Sequence, residues 1–229
     1  MERYYKSGKL YEKFIVDNEN MYAKYESFYE NGKLKFKGNR KRKEFEFHGI
    51  CEHYYEDGKL KEKANYNYGY PLGLYESFYE NGRLKEKRNL DTDGEGNFEN
   101  FYENGKLKER GDYRYYKKNG NYEKFYKSGE LEERGEYRNG YIKGDFESFY
   151  KNGKLKEKGR VDQEYLDKKF EKIGNFECFH ENGKLKERGN YKYPSKKDGL
   201  FEYYSQNGKL IKKENYKDGE LIWIKKFLN

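Results

Sequence analysis

The sequence predicts an all-β protein, an elongated, curled single antiparallel sheet of about nine consecutive β-hairpins. Three observations predict it. The stretches YESFYENGKLKEKG from Tyr25, YESFYENGRLKEKR from Tyr75 and FESFYKNGKLKEKG from Phe146 are near copies of one another. A turn signature, Asn-Gly or Asp-Gly in most copies, sits at the centre of each. On both sides of it, aromatic or apolar residues alternate with charged ones, the two-residue period of a half-buried strand.

Turn glycines mark the copies at Gly8, Gly32, Gly58, Gly82, Gly105, Gly129, Gly153, Gly183 and Gly208, a spacing typical of repeat architectures. One array therefore fills residues 1–229, lengthened once by an inserted connector at 161–172 and ended by a capping segment at 216–229. Asn31-Gly32, Asp57-Gly58 and Asn152-Gly153 tolerate positive φ at two successive positions, so a two-residue type I′ turn is expected in each copy. Such a turn fixes the register, with Glu26 opposite Lys37, Ser27 opposite Phe36, Phe28 opposite Lys35 and Tyr29 opposite Leu34. One face then carries Tyr25, Ser27, Tyr29, Leu34, Phe36 and Gly38, and the other Glu26, Phe28, Glu30, Lys33, Lys35 and Lys37. The acid at the Glu26 position recurs in all nine copies and always meets a base. That predicts a cross-strand ion pair in each hairpin, worth about 0.2–1 kcal/mol.

Composition sets limits on function. Of 229 residues, 40% are charged and 20% aromatic, with 28 Tyr and 16 Phe. So few aliphatic residues would ordinarily suggest disorder, but tyrosine buries a flat ring while keeping its hydroxyl wet. Stacked repeats also let a thin core grow sideways. The net charge of +8 comes from 50 bases interleaved with 42 acids. A nucleic-acid binder concentrates its bases on one side, so nucleic acid is not expected as a partner. The one dense basic run, Arg40, Lys41, Arg42 and Lys43, reads as a solvated loop. No apolar run approaches the roughly 20 residues of a membrane span. Met1 already lies inside a repeat, which leaves two compartments: cytoplasmic if Met1 is the true start, secreted or cell-surface if a signal peptide has been removed.

Catalytic candidates are few. Cys51 and His53 stand two apart on one strand face, as do Cys178 and His180. Each occupies a repeat position and no orienting acid recurs beside it, so these are expected to be drift within the repeat rather than nucleophile and base. Their spacing fits neither a zinc site nor a CxxC motif. No catalytic residue, metal ligand or cofactor is expected. The aromatic on the charged face is more informative: Phe28, Tyr54, Phe78, Phe101, Phe125, Phe149, Phe179 and Tyr204, with Tyr4 starting the row. These rings either pack within a curling sheet or form a linear docking stripe through stacking and cation–π contacts. The inserted connector offers Tyr165, Leu166 and Phe170 as a specificity loop. The C-terminal Ile222, Trp223, Ile224 and Phe227 suggest a capping strand or an oligomer contact.

The repeated pattern, as in Gly73–Lys87, Gly96–Gly111 and Gly144–Gly159, resembles the bacterial MORN variant repeat. The resemblance implies a curled array of hairpins and a non-catalytic scaffold for protein–protein or other macromolecular binding. Proteins of the YwqK type, which are similar, are described as antitoxins. An antitoxin or immunity protein is therefore the alternative, alongside a secreted or surface host-interaction factor. A protein partner is expected, with glycan, anionic lipid and a homo-oligomer through the sheet ends left open.

Overall fold

The computed structural model describes residues 1–15, 21–41, 46–163 and 171–227. The fold is all-β and antiparallel, built from hairpin repeats as the sequence predicts. The chain divides into two compact units, Met1–Leu107 and Lys108–Asn229. In the first, β1 (Glu2–Tyr4), β2 (Leu10–Ile15), β3 (Tyr22–Phe28), β4 (Leu34–Lys41), β5 (Phe47–Tyr54), β6 (Leu60–Asn67), β7 (Tyr70–Phe78), β8 (Leu84–Leu90) and β9 (Gly96–Phe101) pair in chain order. The second begins with β10 (Leu107–Arg114) and β11 (Lys117–Phe125), then β12 (Leu131–Arg138) and β13 (Tyr141–Phe149). It continues through β14 (Leu155–Asp162), β15 (Glu171–Phe179), β16 (Leu185–Lys192), β17 (Lys196–Tyr204), β18 (Leu210–Lys217) and β19 (Glu220–Lys226), again in chain order.

The expected turn type is corrected. In the second copy the loop runs from Tyr29 to Lys33, not over two residues. Gly32 donates its N–H to the Tyr29 carbonyl and Tyr29 donates to Lys33, both at 2.8 Å. Gly32 (φ 85°) alone in that loop takes positive φ. This is a type I turn closed by a glycine bulge, the three-residue hairpin geometry. The Asn31 side chain explains the preference. Its Oδ1 accepts the Lys33 N–H at 2.9 Å, an Asx-type bond that stabilises the turn without requiring Asn31 to become left-handed. Phe28 consequently faces Leu34, not Lys35. A second irregularity restores the predicted register from Ser27 onward: Ser27 opposite Phe36, Glu26 opposite Lys37, Tyr25 opposite Gly38. Type I′ loops do occur, at the other ends of the strands. Tyr68-Gly69, Asn139-Gly140 and Asp218-Gly219 have positive φ at both positions, joining strands through the pairs Asn67–Tyr70, Arg138–Tyr141 and Lys217–Glu220.

The core is the aromatic face. In the second unit Tyr122, Tyr137, Ile142, Phe146, Val161 and Phe176 form one buried cluster, with Cys178 and Tyr191 packed against it. In the first, Tyr25, Phe36 and Cys51 do so with Phe14, Phe47 and Tyr66. Successive repeats interlock. A Cβ added at Gly159 would lie 2.1 Å from Phe176, and one at Gly189 would lie 2.3 Å from Phe201, each ring coming from the following hairpin. Only a bare strand position lets those rings lie so low on the sheet.

A second set of ties joins the hairpin loops. The Tyr29 hydroxyl donates to the Tyr54 carbonyl of the next repeat at 2.7 Å, Tyr79 to Phe101 at 2.7 Å and Tyr150 to Phe179 at 2.7 Å. His180, standing where other copies have Tyr, bonds the Tyr204 carbonyl through Nε2 at 2.8 Å. Asn31 Nδ2 likewise donates to the Glu56 carbonyl at 3.0 Å, and Asn152 Nδ2 to Glu181 at 3.0 Å.

Candidate functional site

The charged face carries the candidate site. Register threads the Glu26-type acids and Lys37-type bases into one alternating row. In the first unit it runs Glu2, Lys13, Glu26, Lys37, Glu52, Lys63, Glu76, Lys87, Glu99. In the second it runs Arg110, Glu123, Arg134, Glu147, Lys158, Glu177, Arg188, Glu202, Lys213. Lys63 bonds Glu52 within its hairpin at 3.2 Å, as expected. In the second unit the cation reaches instead to the next repeat. Arg110 Nε meets Glu123 at 2.6 Å, Arg134 meets Glu147 at 2.6 Å, and Lys158 meets Glu177 at 2.9 Å. Glu202 takes both Arg188 at 2.6 Å and Lys213 at 2.8 Å. The hydrogen bond from Lys213 outweighs the opposing effect of burial, and those from Arg188 and Tyr204 reinforce it, lowering the Glu202 carboxyl from 4.5 to about 2.

Over this row the second unit has a groove of about 1230 Å³ that crosses β10 to β17. Its walls are the ion-paired row, and beside it stand shorter polar residues, Asp112, Asn121, Asp145, Asn175 and Asn190. Seven carboxylates and five cations line it. Within a chain of net charge +8, this lining is therefore locally acidic.

The aromatic stripe lies one row nearer the hairpin loops, on the same face. Phe28, Tyr54, Phe78, Phe101, Phe125, Phe149, Phe179 and Tyr204 are all half-buried, whereas Tyr4 is exposed. Their partners differ from the expected Lys35-type neighbours. Lys35 and Lys61 stand over the loop rings Tyr29 and Tyr55, each 5.6 Å from the centroid. The stripe rings are approached by the row cations of the preceding repeat: Arg110 over Phe125 at 5.8 Å, Arg134 over Phe149 at 5.5 Å and Lys158 over Phe179 at 6.0 Å. Each such arginine or lysine thus touches a carboxylate and a ring while also lining the groove. The hydroxyl of Tyr54 donates to Glu52 at 2.7 Å, and burial followed by that bond pushes its pKa up to about 12.

Sequence reasoning missed a second polar ladder, on the core face. The acid two residues after the loop leucine, present in seven of nine copies, turns inward to tyrosine hydroxyls and lysines. Glu109, buried, accepts Tyr137 at 2.9 Å and Lys118 at 2.8 Å. Glu12, also buried, accepts Tyr25 at 3.0 Å, and Glu133 accepts Lys124 at 2.7 Å. The signal was the recurrence of that Glu in seven copies at a position whose parity assigns it to the core face.

The remaining candidates fall as follows. Cys51 is buried and its thiol is raised by burial; burial pushes Cys178 up to about 11, and its Sγ is 3.9 Å from Glu157. Burial lowers His53. Tyr165, Leu166 and Phe170 lie outside the described residues, as do Arg42 and Lys43 of the basic run. β19 pairs with β18 but leaves Ile222, Trp223 and Ile224 exposed, with Phe227 half-buried. No helix among the described residues is long and apolar enough to cross a membrane.

Interlocked hairpins, a charged row that repeats with them and a face open along its length define a β-hairpin repeat scaffold. Comparison with protein-family models gives the particular kind. The MORN repeat variant matches eight times, at residues 21–42, 47–68, 71–91, 94–115, 118–139, 143–162, 172–193 and 197–218, and the chain belongs to that family. The β1–β2 hairpin adds a ninth copy ahead of the matched ones. A search of curated proteins gives no match. Among solved structures, the chain is similar over 93% of its length to the crystal structure of TcdB2-TccC3-TEV at 10% identity and a TM-score of 0.25. It is similar over 94% to that of TcdB2-TccC3-Cdc42 at 11% identity and a TM-score of 0.21. It spans only 12% and 13% of those chains, and likeness at these scores carries no argument.

Proposed function

We propose that the protein is a non-catalytic scaffold that holds an extended segment of a protein partner along the charged face of its second unit. The groove over the ion-paired row is the observation that carries this assignment. Eight strands at about 4.8 Å spacing give it a run of roughly 34 Å, room for about ten residues of extended chain. Its ion pairs are already formed, so a partner meets ordered donors and acceptors instead of having to organise them. The excess of carboxylates favours a segment carrying Lys or Arg. Supporting the non-catalytic assignment, both thiols are held protonated by burial, and His180 is engaged by a main-chain carbonyl.

A photo-cross-linking residue at Asn121 or Asn175 tests the proposal. The partner should be captured there and not from Tyr68, which is exposed in the other unit. Titrating the captured protein against Glu147→Lys/Glu177→Lys, which reverses the charge of two groove carboxylates, should show affinity reduced at least about tenfold. Phe149→Ala/Phe179→Ala reports separately on the aromatic row. Unchanged affinity in the charge-reversed variant would refute the groove as the binding surface. A cognate toxin is one candidate partner, and co-expression with the neighbouring gene product should then relieve its toxicity.

A further inference from the structure

β19 forms the last edge of the second unit, and all seven of its residues are exposed. Leu221, Ile222, Trp223 and Ile224 are between 44% and 57% accessible. The inner side is paired, with Lys213 opposite Lys225, Glu214 opposite Ile224 and Asn215 opposite Trp223. Phe227 donates its N–H to Ile211 at 2.9 Å. Antiparallel alternation therefore turns the peptide groups of Ile224 and Lys226 away from β18, toward an edge that no strand among the described residues occupies. The alternation changes phase at Ile222, where a bulge puts Leu221 and Trp223 opposite the consecutive residues Tyr216 and Asn215. Exposed edges are usually blunted by charge, proline or brevity. Here four apolar residues stand in a row, with an acid at one end, Glu220, and bases at the other, Lys225 and Lys226.

That order is self-complementary. We propose that β19 pairs with β19 of a second copy of this chain, antiparallel about a two-fold axis through Trp223. Ile224 and Lys226 supply the outward peptide groups of the seam, while beyond the bulge Ile222, Leu221 and Glu220 meet Ile224, Lys225 and Lys226 of the other copy through their side chains. The two Trp223 rings meet in a non-hydrogen-bonded pair, where opposed Cα atoms are closest. A two-residue shift in either direction sets Lys226 or Glu220 opposite an isoleucine and loses the charge match. Among the described residues the opposite edge, β1, offers only Glu2, Arg3 and Tyr4, so a contact between β19 and β1 that would propagate into filaments has little to grip. One seven-residue edge is small beside a standard interface, so the dimer should dissociate on the order of micromolar concentrations.

Sedimentation velocity of the full chain over a dilution series tests the proposal. A monomer–dimer equilibrium is expected. Glu220→Lys and Lys226→Glu should each weaken it about tenfold, because each turns two attractive pairs per dimer into repulsive ones. The double swap Glu220→Lys/Lys226→Glu should restore the original constant, and Ile224→Lys should abolish association. All three positions are exposed, and unchanged far-ultraviolet circular dichroism would confirm that the variants fold. A chain that stays monomeric throughout, a ladder of higher polymers, or a double swap that fails to recover would each overturn the pairing.

Discussion

Replacing Gly159 by Ala should destabilise the second unit by about 2 kcal/mol. Gly159 faces the core, where the Phe176 ring of the next hairpin covers it. A Cβ there would stand 2.1, 2.5 and 2.7 Å from three atoms of that ring, where ordinary contact begins at 3.4 Å. Relief needs a ring movement of more than an ångström. Phe176 is 2% exposed and belongs to the buried cluster, with Lys172 Nζ 4.1 Å from its centroid and Tyr191 edge-on at 6.0 Å. It has nowhere to go. Overpacking of this kind costs about 1–3 kcal/mol, and the upper end applies. Against it stands about 0.4–1 kcal/mol from the less flexible unfolded chain. For a chain of this size, 2 kcal/mol corresponds to a fall in Tm of about 4–8 °C, measured by circular dichroism together with urea unfolding. Adding Phe176→Leu should recover part of the loss, so that the double variant is more stable than the sum of the singles predicts. A neutral or stabilising Gly159→Ala, or strict additivity with Phe176→Leu, would refute the interlocking of repeats through that ring.

Two further expectations follow from the polar ties. Tyr79→Phe removes a hydroxyl that donates to the Phe101 carbonyl at 2.7 Å, and should cost about 0.5–1.5 kcal/mol in urea unfolding; no change would mean that water replaces the tie. Glu202, with its folded pKa lowered from 4.5 to about 2, contributes stability that is full above about pH 4.5 and fades as pH falls toward 2. The full shift would amount to about 3 kcal/mol, reduced to about 1–2 by solvent screening where Glu202 lines the open groove. Glu202→Gln should thus be less stable than the parent at pH 7 and equal to it near pH 2; a gap that persists in acid would count against the ion pairs as its cause.

Much of the fold is legible in the residues themselves. A two-residue turn places Glu26 opposite Lys37 and Tyr25 opposite Gly38, and the structure keeps both because the longer loop is offset by the register shift between Ser27 and Phe28. The turns were harder because Asn-Gly serves two geometries. At Asn31-Gly32 the side-chain amide of Asn31 stabilises a longer loop, whereas Asn139-Gly140 joins its strands directly. The dipeptide looks the same, and only the ties around it separate the two. The partners of the stripe rings were hidden for a related reason. Pairing within a hairpin follows from its turn, but the reach of Arg134 to Glu147 and Phe149 crosses to the next repeat. The groove was hidden more deeply still, since it depends on how a sheet bends and not on what any one strand contains. The inward glutamates were readable, because a carboxylate recurring on the apolar side of a strand must find donors there.

The loop ties all run one way. Tyr5 reaches Phe28, Tyr29 reaches Tyr54, Tyr126 reaches Phe149, and His180 reaches Tyr204, always from a repeat to its successor. Each such tie therefore forms only once the following repeat has emerged from the ribosome to supply the accepting carbonyl. Because the accepting group is a main-chain carbonyl, any successor can serve. At this row of ties a repeat can be gained or lost without redesign, whereas in the core the junctions at Gly159 and Gly189 also demand the ring that follows each of them.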